Sequence, residues 1–167
     1  MQMSATKIEV PVGTYRERLS PSLWVLASAA LSGPMATLVF VPLDTTLSLV
    51  IGVVVSVAAV GLLIAASPVI DVKDGMLHAG RARIPTRLLG SPVVHSGEDA
   101  RHARGAGLDP RSWHVLRGGI DGVVVVPVVD PDDPAPAWVI SSRTPERLAA
   151  ALRRSAVADR ATPRTDA

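Results

Sequence analysis

The chain has 167 residues, no cysteine and a formal net charge of +2. The missing cysteines exclude disulfide frameworks, thiol nucleophiles and cysteine-ligated zinc, and the Lys and Arg residues form no dense basic block, so a nucleic-acid surface has no electrostatic footprint. Between Arg18 and Asp71 the only ionisable side chain is Asp44, and a soluble domain, whose elements keep one side in water, needs charges more often than that.

Residues 1–20 read as a cytoplasmic N-terminal segment. Two apolar runs follow, Ser22 to Val41 and Leu47 to Ala66, each 20 residues long, or about 30 Å of helix, the thickness of a bilayer's hydrocarbon core. They predict a transmembrane helical hairpin over 21–67, with helices at about 22–41 and 47–66. The short linker PLDTT makes the helices antiparallel neighbours and puts Asp44 at the tip, where Pro42 and two threonines supply turn and cap chemistry. Lys7, Arg16 and Arg18 precede the hairpin and Lys73, Arg81, Arg83 and Arg87 follow it, while the linker has neither Lys nor Arg. That asymmetry predicts a multi-pass protein of the inner (plasma) membrane with both termini cytoplasmic. Trp24 fits an interfacial aromatic belt. The ASA at Ala27–Ala29 resembles a signal-peptide cleavage site, but few apolar residues precede it and the run continues beyond it, which argues against a leader.

Within the hairpin, Ser28, Ser32 and Ala36 recur at spacing four, as do Ser48, Gly52 and Ser56. Each set predicts a stripe of small side chains for helix packing, although a sequence rich in Ala, Gly and Val also produces such spacings by chance. Gly33-Pro34 predicts a kink. No Lys, Arg, His or Glu lies within either run, so the groups of an ion path or proton relay are missing and the hairpin reads as an anchor.

After Pro68 the pattern becomes that of strands, predicting a cytoplasmic β domain over 68–156. VIDVKDGMLHAGRARIP alternates around an Asp74-Gly75 turn as a β-hairpin, with Gly80 marking a bulge. WHVLR at 113–117, GVVVVPVVD at 122–130 and AWVISSR at 137–143 are further strands, with Pro127 at an edge or bulged position. SGEDARHARGAG at 96–107 predicts a short helix capped by Ser96. Thr144 as cap and Pro145 at the first position start a closing helix whose core face is Leu148, Ala151 and Leu152. Residues 157–167 read as a disordered tail.

Two tandem apolar helices, then VIDVKDGMLHAGRARIP, then WHVLRGGIDGVVVVPVVDPDDPAPAWVISSRTPERLAAAL closely resemble an uncharacterised actinobacterial membrane-protein family, domain of unknown function 3093. The resemblance covers roughly residues 15–153 and is most specific in the strand after the helices, the Asp-Pro turn and the closing helix. It implies no catalytic residues, since that family carries no established activity. By topology the β domain also resembles a bacterial pleckstrin-homology-like domain, a bent antiparallel sheet closed by one helix. The fold class expected is therefore an α+β membrane protein: a transmembrane hairpin followed by a small antiparallel β domain with a C-terminal helix.

His78, His95, His102 and His114 sit in no metal-ligand spacing. RGGIDG lacks a following Lys-Ser or Lys-Thr, no G-x-S-x-G surrounds Ser141-Ser142, and the DPDDP loop lacks EF-hand spacing. The expectation is a non-enzymatic module without cofactor or metal, binding a protein partner or anionic lipid headgroups. Lys73, Arg81, Arg83 and Arg87 are the candidate headgroup contacts, each worth about 1 kcal/mol near an anionic leaflet, unless they only fix topology and solvate strands. Arg81 and Arg83 should share a strand face, provided Gly80 does not shift the register. The alternative is an accessory subunit of a larger envelope or transport complex, assembled through the hairpin.

Overall fold

The computed structural model describes residues 14–161. The chain opens with a strand, β1 (Tyr15–Arg18), and then enters a helical hairpin made of α1 (Leu23–Ala30), α2 (Ser32–Phe40) and α3 (Thr45–Ala65). Leu23–Phe40 and Thr45–Ala65 are each long and apolar enough to cross a membrane. Asp44 is itself the cap of α3: its backbone is extended and its carboxylate accepts from Leu47 N at 2.7 Å. The break at Leu31 follows from Pro34, which has no N–H to offer the carbonyl of Ala30 four residues back. Ser56 of α3 supplies the missing donor, its Oγ lying 2.5 Å from Ala30 O.

The hairpin closes on small residues. A Cβ on Gly33 would lie 2.5 Å from Gly52 O, and one on Gly52 would overlap Thr37 Oγ1, so neither helix tolerates a side chain at the crossing. Ser48 and Gly52 are buried and Ser56 is half-buried. On the first helix the contact passes through Ala30, Gly33 and Thr37, one residue along from the predicted stripe. Ser28 is exposed, with its hydroxyl on Trp24 O at 2.8 Å, Ser32 bonds Ala29 O at 2.6 Å, and Ala36 is half-buried. The difference arises because the kink rotates the second half of the helix and presents the residue with no side chain.

After the hairpin come β2 (Val69–Lys73), β3 (Met76–Ala79) and β4 (Ala82–Pro85), and one antiparallel sheet runs β1-β2-β3-β4. Asp74 and Gly75 both have positive φ, 52° and 74°, as a two-residue hairpin turn requires. Gly80, with φ 65°, belongs to a second two-residue turn with Arg81, since Ala79 pairs with Ala82. It is a turn, where a bulge was expected, and the run after it is a third strand of a meander. Alternation buries Ile70, Val72, Leu77 and Ile84 on one face and leaves Asp71, Lys73, His78 and Arg83 on the other.

The second sheet is formed by β5 (Val93–His95), β6 (Trp113–Val115), β7 (Gly122–Pro127) and β8 (Ala137–Ser142) in the order β5-β7-β8-β6. The pair β6 and β8 is parallel, an exception to the expected all-antiparallel arrangement. Pro127 ends an interior strand rather than lying on an edge strand; β5 pairs only as far as Val125, so no neighbour needs the missing N–H. The unbroken valines of β7 have a simple cause, which is that both faces are covered. Val124 and Val126 join the main core with Leu19, Ile70, Leu77 and Ile140, while Val123 and Val139 pack with Ala100 of α4 (Gly97–Ala103).

The last helix, α5 (Pro145–Ala161), closes the core, with Leu148, Ala151 and Leu152 only 0, 1 and 2% exposed. It continues through residues read from sequence as tail: Asp159 lies 3.7 Å from Arg87, and Ser155 is within 3.0 Å of Thr86. Residues 162–167 and 1–13 lie outside the described residues.

Candidate functional site

The four basic residues singled out from sequence do not form one patch. Lys73 sits at the turn end of β2 beside Asp74 at 3.6 Å, and Arg87 lies at the same end, since Thr86 N donates to Gly75 O at 2.7 Å. Arg81 is in the turn at the opposite end, next to the hairpin, where Gly80 N donates to Val69 O at 3.1 Å. Arg83 occupies the outer face of β4 opposite His78. A meander reverses the chain at Gly75 and again at Gly80, so residues close in sequence alternate between ends about 13 Å apart. Arg81 therefore does not share a strand face with Arg83.

Nearest the hairpin stand two arginines of a different kind. Arg18 donates to Ile64 O at 2.7 Å and to Ala65 O at 3.5 Å, satisfying carbonyls at the end of α3 and placing a cation at the negative end of its dipole. Arg143 donates to Arg18 O at 3.2 Å and to Ser20 O at 2.9 Å. Beside them Glu17 accepts from Tyr15 Oη at 2.5 Å, from Ser142 Oγ at 2.6 Å and from Arg143 N at 2.8 Å. Tyr15 also lies 2.9 Å from Thr144 Oγ1. Burial, then the Glu17 carboxylate, push the Tyr15 hydroxyl above its ordinary pKa. Ser142 donates its hydroxyl proton to Glu17 and, among the described residues, bonds no histidine. The effect of the network is mechanical: it ties the strand before the hairpin to the start of α5.

Along the other side of β1 lies an open groove. Thr14, Arg16, Arg143, Thr144, Arg147 and Arg154 line a cavity of about 600 Å³ whose floor is Ala150 and Ala151. The helix period puts Arg147, Ala150, Ala151 and Arg154 on one stripe, with small residues between two cations. Arg16, Arg147 and Arg154 are exposed and, among the described residues, make no ion pair or side-chain hydrogen bond. Among the described residues Glu17 is the one carboxylate lining the groove, and its oxygens are spent on the network. The groove therefore carries an excess of positive charge. Sequence reasoning passed over it because Arg16 and Arg147 are 131 positions apart, and only the pairing of β1 with β2 brings them together.

Two of the other concavities include residues singled out from sequence. One of about 680 Å³ lies between the edge strands β4 and β6, where Trp113 and Trp138 meet at 6.0 Å between ring centres, with Arg83, Arg111 and His114 around them. Arg111 is held by Asp109 at 3.2 Å, which lowers the pKa of that exposed carboxyl. The other, of about 500 Å³, is an apolar groove on the hairpin beside Pro34.

No curated protein and no solved structure matches the chain. A family model does match, over residues 14–152, from β1 to the buried half of α5. The chain therefore belongs to the family described as protein of unknown function DUF3093.

Proposed function

We propose that this protein is a non-enzymatic, membrane-anchored binding module. In this reading the hairpin crosses the inner (plasma) membrane, both termini lie in the cytoplasm, and a pleckstrin-homology-like domain hangs directly beneath the bilayer. Two apolar helices joined by a turn without Lys or Arg support the anchor and its orientation. Two packed four-stranded sheets closed by a C-terminal helix support the domain type.

The observation that carries the binding function is the groove with three exposed arginines, Arg16, Arg147 and Arg154, that have no partner among the described residues. A protein ligand suits it better than a headgroup. From Pro145 to Arg154 α5 climbs about 14 Å away from the hairpin, which puts Arg154 well below a phosphate in the membrane plane. Lys73 and Arg87, formerly headgroup candidates, sit at that far end as well.

Polyglutamate titrated onto the full chain in nanodiscs of neutral lipid tests this. Binding should weaken as salt rises and disappear when Arg147 and Arg154 are both changed to Gln. Retained binding in the double variant, or a stronger response to anionic lipid than to the peptide, overturns the reading. A second reading, assembly of the hairpin into an envelope or transport complex, draws on the apolar groove beside Pro34 and makes function depend on Leu38 and Val53 instead.

A further inference from the structure

Resting on the groove as the binding site, we infer that its ligand is an extended acidic segment of a partner protein, added as a further strand to the open edge of β1. Strand β1 is first in its sheet, so among the described residues one of its sides has no neighbour. Leu19 N bonds Pro68 O at 2.9 Å, which fixes the phase of the ladder: Tyr15, Glu17 and Leu19 bond toward β2, and the alternate residues turn their amides outward. Arg18 O is already taken by Ser20 N and the Arg143 guanidinium. The N–H and C=O of Arg16, the N–H of Arg18 and the C=O of Thr14 face the groove side with no partner among the described residues. An unpaired edge of this kind recruits another strand.

The helix across the groove selects which strand. Arg147 and Arg154 are two turns apart, about 10 Å, close to the advance of three residues in an extended chain. Acidic side chains two or four positions apart lie on one face of a strand and can reach both cations, while Ala150 and Ala151 leave room for the backbone between them. A phosphate or a headgroup can accept from an edge N–H but has no donor for the carbonyls of Thr14 and Arg16. A neutral strand satisfies the amides and leaves the cations idle. Only an acidic extended segment meets both requirements.

The experiment uses the full chain in neutral nanodiscs and short peptides of alternating glutamate and valine. One peptide is unmodified, one is N-methylated on its glutamates and one on its valines. Because a strand pairs through one edge, one methylated peptide should lose at least about tenfold in affinity and the other should bind as the parent does. The Arg16 amide should become protected from exchange. If both methylated peptides bind like the parent, strand addition is wrong although the groove stands. If no peptide binds, or Arg147→Gln with Arg154→Gln changes nothing, the groove itself is not the site. Binding that appears only after deletion of residues 2–12 overturns the proposal in favour of the chain's own N-terminal segment.

Discussion

The hairpin and the β domain use one side-chain alphabet in opposite senses. In the domain the large apolar side chains point inward, and Ile70, Leu77, Ile140 and Leu148 are wholly buried. In the hairpin the large apolar side chains point outward, with Val54 at 59% and Leu62 at 72% exposure, and the inside is Gly33, Ser48 and Gly52. Water drives the first arrangement through apolar burial. In the proposed bilayer setting that force would be absent between the helices, and close backbone approach with side-chain hydrogen bonds would take its place. The two regions should therefore answer the same substitution differently.

The largest effect is expected from aspartate in the domain core. Leu148→Asp removes a fully buried side chain and inserts an unpaired carboxylate, costing about 4 kcal/mol or more, enough to unfold a marginal domain. Rapid proteolysis between Val69 and Arg160 is the expected sign, and native resistance would break the comparison. Val54→Asp, made in the middle of α3, should leave that resistance unchanged. Its cost of about 3 kcal/mol should fall on insertion, read as a smaller fraction surviving alkaline extraction of membranes.

The polar clamp joining the two regions comes next. Tyr15→Phe deletes a hydroxyl bonded to Glu17 and Thr144 and should cost about 1 kcal/mol of domain stability. It should also change the alkaline behaviour. Because the folded-state pKa of Tyr15 is raised, its contribution is fully present below the tyrosine pKa of the unfolded chain and is lost as pH rises through the folded value. Thermal melts of the parent should fall more steeply than those of Tyr15→Phe above about pH 10. Parallel curves would mean that Tyr15 is not held as described.

What could be read from sequence follows the range over which each signal acts. The apolar runs announce the hairpin, Asp74-Gly75 announces the β2–β3 turn, and Thr144-Pro145 announces α5, because each is complete within a few adjacent residues. Strand β1 is YRER, four residues with one aromatic and three charges, and its partner lies beyond the whole hairpin. Nothing local marks it, and with it went the clamp and the arginine groove. The basic residues disperse for a related reason: two tight turns between Lys73 and Arg87 send Arg81 to the end of the meander opposite Lys73 and Arg87. The end of α5 is not legible because Asp159 and Arg160 look like tail, yet Asp159 lies 3.7 Å from Arg87, 72 positions earlier in the chain.

The smallest predicted effect concerns the carboxylate that interrupts the apolar span. Asp44 accepts one backbone N–H at the start of α3, and asparagine caps helices about as well as aspartate. Asp44→Asn therefore keeps the hydrogen bond and loses only the attraction between a negative charge and the positive end of the helix, a few tenths of a kcal/mol up to about 1. Asp44→Ala loses both, about 1 to 2 kcal/mol in total. Measured as resistance of the hairpin to denaturing detergent, the order should be parent, then asparagine close behind, then alanine, while polyglutamate binding stays the same in all three. If asparagine proves as damaging as alanine, or either variant abolishes binding, Asp44 acts through its charge on something beyond its own helix, and the hairpin is more than the anchor proposed for it.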